Sequence, residues 1–440
     1  MGAVRDASEV KGPNLKPYAF IATFGAVSML MDIVYQAALS VQGPLLASLG
    51  ATALIVGVVS GLGEATALVG RLFSGPLADR TGRYWMLAIL GYAATAVAVP
   101  AMGFVGSLIG VSALVVFERF GKSLRTPSRD AMLSHAASAV GTGKGFALHE
   151  VLDQIGAFAG PLATSALLSV TAGDYRVALG VMIVPGLAAI VVLLLLKHRV
   201  PDPERYEAPL ASVGEAPALS HVVQPREATA PADARDGAGV NADAAASAPE
   251  PAERGGVAST ARALPAEFWR YTLTCGIVLA GVATFGVQSY HMVSSGLLPD
   301  AGVPLLYALA MAVDALFAWI TGAAFDRRGP RVLLALPIVC MIIPVFAYAG
   351  SVWMVVVGVV LWGAALGIQE STMRAAVAGM VPPNRRAIAY GLFSVAIGIG
   401  GLIGGVVAGA LYDFSVPALA AYTVVVEAVA FALLWKTVRR

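Results

Sequence analysis

Glu118, Lys122, Arg125 and Arg129 stand at i, i+4, i+7 and i+11 within a largely apolar stretch. On an α-helix that spacing lines all four along one face. An ionisable side chain at the centre of a membrane helix costs roughly 2.5–3.5 kcal/mol on insertion scales, and it turns toward a cavity or a partner. A stripe of this kind either ties helices together through ion pairs or binds and gates a charged solute. Arg125, Arg129 and the adjoining Asp130 lie near the end of the stretch, where long side chains reach water, and read first as an ion-pair network. Glu118, Arg119 and Lys122 lie deeper and divide evenly between structure and substrate binding or gating. Their local positive excess would suit an anionic cargo unless neighbouring carboxylates neutralise it.

Asp32 and Glu64 each interrupt an apolar stretch with no basic residue close by in sequence. A carboxyl group withdrawn from water holds its proton more tightly, so it can load and unload near neutral pH. That is the chemistry of proton coupling, for which Asp32 is the first candidate and Glu64 the second. The competing reading is a carboxylate permanently bonded to a neighbour such as Tyr35 or Arg119. His149 and Asp153, at i and i+4, suit either a His–carboxylate relay titrating near neutrality or a structural or gating pair. Asp314, and Glu370 with Arg374 at i and i+4, are the main ionisable groups of the second half. Glu370 and Arg374 can satisfy each other, whereas Asp314 needs a partner from another helix. Tyr35, Gln36, Gln288, Tyr290 and His291 complete the candidate cavity lining, with anchoring at the lipid interface the alternative for Tyr290.

Other chemistries find no support in the residues. Cys275 and Cys340 fall inside apolar stretches and read as packing residues. No His/Cys set has metal-ligand spacing, no phosphate-cradling glycine loop occurs, and no nucleophile–base pair is apparent. We therefore expect no enzyme, no cofactor and no metal, and any driving energy must come from a gradient.

Helices must hold these groups in place. With 58% hydrophobic and 13% charged residues and a mean hydropathy of +0.77, the chain departs from soluble domains, which carry about 25% charged residues. Stretches long enough to cross a hydrocarbon layer roughly 30 Å thick are expected over 18–40, 52–74, 84–104, 107–127, 146–170 and 176–196. A second set covers 270–292, 303–323, 331–349, 352–377, 388–411 and 417–436. The expectation is an all-α membrane protein of twelve transmembrane helices, six per half. A cytoplasmic tail (1–17) precedes the first bundle (18–199), a linker (200–265) follows, and the second bundle ends in a short tail (266–440). The linker is rich in Ala, Pro, Glu, Asp and Gly; its apolar surface is too small to offset the entropy of ordering, and it reads as a disordered cytoplasmic tether. The first apolar run is full length and lacks a cleavage site, so no cleavable signal peptide is expected. Arg80, Arg83, Arg129, Lys144, Arg327, Arg328, Arg331, Arg385 and Arg386 gather in loops on one side, and both chain ends are basic. That asymmetry places both termini in the cytoplasm and the protein in the inner membrane. It accounts for the basic residues without nucleic acid.

The halves repeat each other. Gly75-Pro76-Leu77-Ala78-Asp79-Arg80-Thr81-Gly82-Arg83 is echoed by Gly322-Ala323-Ala324-Phe325-Asp326-Arg327-Arg328-Gly329-Pro330-Arg331, and Gly156-Ala157-Phe158-Ala159-Gly160-Pro161 by Gly400-Gly401-Leu402-Ile403-Gly404-Gly405. Small residues four apart let helix backbones approach closely. Two matched six-helix halves suit a carrier with its site between them at mid-membrane.

On these residues the chain resembles the major facilitator superfamily. The turn after the second span is similar to that superfamily's Gly-x-x-x-Asp-Arg-x-Gly-Arg signature; the second copy carries Pro330 ahead of Arg331. Arg119-Phe120-Gly121-Lys122-Ser123-Leu124-Arg125-Thr126-Pro127-Ser128-Arg129-Asp130-Ala131, with Asp32, His149 and Asp153, resembles a bacterial branch of it, although Ser123 stands where that branch has Gly. The fifth span partly resembles the Gly-Pro signature of proton-coupled drug exporters. The resemblance implies two pseudo-symmetric bundles in the major facilitator fold and alternating access. It also implies a conformational latch formed by Gly75, Asp79, Arg80, Gly82 and Arg83 with Arg125, Arg129 and Asp130, and more loosely by Gly322, Asp326, Arg327 and Gly329. The function expected is secondary active transport of a small organic solute, driven by protons, with the protein acting as a monomer in the bilayer. Export by antiport leads, followed by proton-coupled uptake of an anionic metabolite. A lipid flippase or membrane sensor with a transporter fold is the reading from another class.

Overall fold

The computed structural model describes residues 15–206, 261–382 and 385–438. Most of the expected linker, and the basic residues Arg5, Lys11, Arg439 and Arg440, lie outside them. The described residues are helical, with no strand. The first half comprises α1 (Pro17–Ser48), α2 (Ala53–Thr81), α3 (Tyr84–Phe104), α4 (Leu108–Val140) and α5 (Thr142–Val170), with its sixth span in two pieces, α6 (Tyr175–Gly180) and α7 (Ile183–Arg199). The second half comprises α8 (Ala266–Gly281), α9 (Phe285–Ser294), α10 (Gly302–Arg328), a 3-10 turn (Gly329–Leu334), α11 (Ala335–Ala347), α12 (Val352–Met380), α13 (Arg386–Phe414) and α14 (Val416–Val438). Among the described residues ten helical stretches are long and apolar enough to cross a membrane. The charged stripe keeps α4 out of that set, and Gly302–Ala347 enters it as one stretch although the chain turns at Gly329, where φ is +64°. Among the described residues the total is twelve.

Three expectations need correction. The fourth span continues to Val140 and the fifth begins at Thr142, so Arg129 and Lys144 belong to helices and not to a loop. The seventh span is broken: α8 stops at Gly281, Val282 is extended (φ −99°, ψ 127°) and α9 restarts at Phe285. Residues 200–206, assigned to the linker on composition, pack on the first bundle, where Tyr206 is buried and its hydroxyl donates to Leu15 O at 2.8 Å.

Each half has its own apolar core, and the repeated glycines do equivalent work in each. A Cβ at Gly156 or Gly160 would strike the Met29 or Ile33 carbonyl of α1; at Gly400 or Gly404 it would strike the Gly276 or Leu279 carbonyl of α8. Span 5 thus packs on span 1 as span 11 packs on span 7. Between the halves, α13 runs along α2, α9 meets α1, and α10 meets α5. Gly57 and Gly405 face each other backbone to backbone, and Gly43 lies on Gly286 and Ser289. Ser165 Oγ donates to Ala301 O at 2.7 Å. The contacts of Gly43 and Ser165 close the end of the molecule away from the termini. At the termini end, among the described residues, α1 makes at most slight contact with α8 and α12, and α4 with α12, leaving a cleft between the halves.

Candidate functional site

The stripe on α4 is the hub of the first half. Arg119 Nη1 lies 3.1 Å from Glu64 Oε1 of α2 and also donates to the Tyr35 hydroxyl of α1, while its Nε is 3.7 Å from Glu118 Oε2. Thr95 of α3 donates to Glu118 Oε1 at 3.0 Å and accepts from Arg125 Nη1 at 3.0 Å, joining two members of the stripe through one hydroxyl. Arg125 Nη2 reaches Asp32 Oδ1 at 4.0 Å, and Arg129 pairs with Asp130 at 2.9 Å and Asp153 at 4.0 Å. The Tyr35 ring carries three cations on its face: Lys122 Nζ at 4.0 Å, Arg119 at 4.6 Å and Arg125 at 5.9 Å from the centroid. A π-face attracts a cation within about 6 Å, so Tyr35 gathers the positive charge that the carboxylates face.

Asp32 and Glu64, isolated in sequence, are therefore partnered in space. Gly156 and Gly160 draw α5 onto α1, which sets Asp32 opposite Asp153 as well as Lys122, Arg125 and Arg129. The Asp32 side chain is 15% exposed and that of Glu64 41%, so both can exchange with the cleft. His149 does not bond Asp153. Its Nε2 lies 2.8 Å from Ser28 Oγ, which also meets Tyr92 Oη at 3.2 Å, while Asp153 turns to Arg129. The i, i+4 spacing offered that pair, and the Ser28 hydroxyl of α1, itself bonded to Tyr92 of α3, satisfied the imidazole instead.

The other half contributes charge across the cleft. Glu370 interacts electrostatically with Arg374, Glu150, Lys122 and Glu64, and Arg71 of α2 with Arg374, Asp130, Arg129 and Glu64. Glu370 and Arg374 are both exposed, and among the described residues no ion pair closes between them. Asp314 is buried, Oδ1 has no hydrogen-bond partner, and Glu370 and Glu150 are the charges acting on it. Gln36 Oε1 accepts from Tyr307 of α10 at 2.8 Å. Gln288 departs from its cavity assignment, since it is fully buried with both amide atoms unpaired. Tyr290 packs edge-on against Tyr412 at 5.8 Å and against the first core. Arg71, Thr95 and Glu150 escaped the sequence reading. For Arg71 a signal existed, because it lies two helical turns beyond Glu64 on the same face.

A model of the Major Facilitator Superfamily matches residues 22–297 and 293–440. The chain belongs to that superfamily. An uncharacterized protein of Mycobacterium tuberculosis (strain ATCC 25618 / H37Rv) is 45% identical over 423 residues, spanning 96% of this chain and 94% of its own. An uncharacterized MFS-type transporter of Methanocaldococcus jannaschii is 29% identical over 136 residues, 31% of this chain and 34% of its own. Among solved structures, the nucleoside transporter NupG (D323A mutant) superposes with a TM-score of 0.70 at 13% identity, covering 94% of this chain and 99% of that one. A bacterial homolog of the human lysosomal transporter Spinster, inward-facing and unoccupied, gives 0.67 at 16% identity, covering 97% and 98%. Both likenesses establish the fold alone.

In this major facilitator protein the two signature turns lie at the open end. Gly82 (φ +63°) and Gly329 (φ +64°) each end a helix in the left-handed region, which suits glycine and strains other residues. Asp79 accepts from Tyr84 Oη at 3.1 Å within its own turn. Arg80, Arg83, Asp326 and Arg327 are exposed, and Gly322 faces open space. A Cβ added at Gly75 would lie 3.9 Å from Pro127 of α4. Among the described residues the ion pairs of Arg125 and Arg129 run to α1, α5 and Asp130, and none runs to the Asp79 turn. The expected network therefore stitches α4 to α1 and α5 and leaves that turn out.

Proposed function

We propose that the protein is a secondary active transporter of the inner membrane, both termini cytoplasmic, that moves a small organic solute by alternating access and couples the movement to protons. The observation that supports it best is the setting of Asp32, a partly exposed acid at the edge of the cleft, within reach of Arg125 and opposed by Asp153. Ionised, Asp32 attracts Arg125 and the neighbouring Lys122 and Arg129; protonated, it loses that attraction and leaves Arg125 on Thr95 alone. A proton biases two conformations only by its different affinity for each, and the gain or loss of this attraction is the difference proposed. Glu64 is the second coupling candidate, and Asp153 and His149 support the first. Export by antiport is the direction proposed, with the signature turns as the latch of the opposite state.

Arg71 facing Arg374 across the cleft, with Lys122 close by, favours a second reading: proton-coupled uptake of an anionic metabolite, the anion bridging cations of the two halves.

The test is thermal stabilisation of the purified protein by a panel of metabolites and drugs at two pH values, for wild type and Asp32→Asn. A ligand of the native state raises apparent stability. A solute whose binding depends on pH in wild type and not in Asp32→Asn supports the assignment. The same pH dependence in both proteins removes Asp32 from coupling. Stabilisation by lipids alone favours the flippase or sensor.

A further inference from the structure

Glu427 lies midway along α14, far from the stripe, and no part of the proposed cycle uses it. It is 0% exposed, and neither carboxylate oxygen has a hydrogen-bond partner. One turn earlier on the same face, Thr423 is also buried with an unpaired hydroxyl. Oε1 lies against Gly281, where an added Cβ would come within 2.5 Å of it. Gly281 is the last residue of α8, where the seventh span breaks.

The end of α8 beside Glu427 carries carbonyls that its own helical ladder leaves unpaired. The carbonyls of Leu279, Ala280 and Val282 converge on Gly404 of α13, and the Ala280 carbonyl accepts from Tyr422 Oη at 2.9 Å. The carbonyl end of a helix carries roughly half a negative charge, which opposes a bare carboxylate beside it and favours a cation. The titratable groups facing Glu427 are the Cys340 thiol of α11 and the Tyr422 phenol of its own helix. Among the described residues, α8, α13 and the 3-10 turn bring it no charged side chain. An unpaired ionised carboxylate is strongly disfavoured in such surroundings. One negative charge with neutral oxygen neighbours calls for one positive charge. A divalent ion would leave an uncompensated charge and needs about six or more oxygens.

We propose that Glu427, at the carbonyl end of α8, binds one monovalent cation, a proton or Na⁺, at a site separate from Asp32 and Glu64. Beyond the break, α9 carries Gly286 and Ser289 onto Gly43 at the closed end, so the occupied site sits at the joint between the body of the second half and its contact with the first.

The test is the melting temperature of the full-length protein, wild type and Glu427→Gln, in NaCl against choline chloride at fixed ionic strength, and from mildly acidic to mildly alkaline pH. A rise with Na⁺ that disappears in Glu427→Gln identifies Na⁺. No response to Na⁺, with a fall on raising the pH that disappears in Glu427→Gln, identifies the proton, because a buried neutral acid loses stability as it is forced to ionise. Either response survives in Asp32→Asn. Identical Na⁺ and pH responses in wild type and Glu427→Gln overturn the proposal. Glu427→Asp, which keeps the acid but withdraws it from Gly281, is the second variant. It shifts the midpoint of the response, and an unshifted midpoint also overturns the site.

Discussion

Asp413 of α13 caps the first turn of α2 from the opposite half: its Oδ2 lies 2.9 Å from Leu54 N and its Oδ1 3.1 Å from Ala53 N. Thr52 also accepts at this terminus, from Ile55 N at 3.4 Å. Loss of a side-chain cap costs about 1 kcal/mol, roughly a factor of five in a two-state equilibrium. Asp413→Ala therefore shifts the population away from the state closed at this end. Spin labels at Ser48 and Ser294, with Cys275 and Cys340 replaced by Ala, read the change as a longer distance; an unaltered distribution would deny the cap any part in closure.

Arg119 and Glu64 form one ion pair, yet removing either partner has unequal consequences. Arg119→Met leaves Glu118 buried without its cation, a loss of about 3–5 kcal/mol for a broken buried pair. Glu64→Gln removes a carboxylate whose side chain is 41% exposed, so the expected cost is below about 1 kcal/mol. Melting of the solubilised proteins compares the two. Equal losses would mean that the buried Glu118 is held by Thr95 alone.

Gly401 and Gly405 share a helix and differ in what lies above them. A Cβ at Gly401 meets open space, whereas at Gly405 it comes within 2.5 Å of the Gly57 carbonyl. Gly401→Ala is expected to be neutral or slightly stabilising, through helix propensity. Gly405→Ala forces α2 and α13 apart at a cost of about 1–3 kcal/mol. Matching melting temperatures for the two variants would contradict the close approach.

Tyr206 fastens the segment after the sixth span beneath the first bundle. Its burial pushes the phenol up to about 12, so the hydroxyl stays a donor to Leu15 O throughout the physiological range. Tyr206→Phe keeps the ring against Phe20 at 5.4 Å and loses only the hydrogen bond, about 1 kcal/mol. A urea or thermal titration that finds no loss would place the hydroxyl in water.

Periodicity and charge made the spans, the one-sided stripe of α4 and the close-packing glycines of spans 5 and 11 readable, because each is a pattern internal to one helix. The partners were not readable. Asp32 finds Arg125 and Glu64 finds Arg119 through helix crossings that no local spacing encodes, and His149 prefers Ser28 of another helix to Asp153 of its own. The break after Gly281 left little trace, since Gly281-Val282-Ala283-Thr284 continues the apolar character and contains no proline. Glu427 was passed over for the same reason: a lone acid in an apolar run announces itself only when its surroundings are known to be empty of cations.

The contact of α2 with α13 is made largely by main chain, Gly57 on Gly405 and Gly61 on Leu402. Main chain has no rotamers to rearrange when one helix rolls on the other. Side-chain junctions such as Tyr307 with Gln36 must break and reform at each turnover, but the glycine contacts of this seam can stay in register throughout. It serves the two halves as an axle, and changes there are expected to slow the motion in both directions alike, leaving the balance between its end states in place.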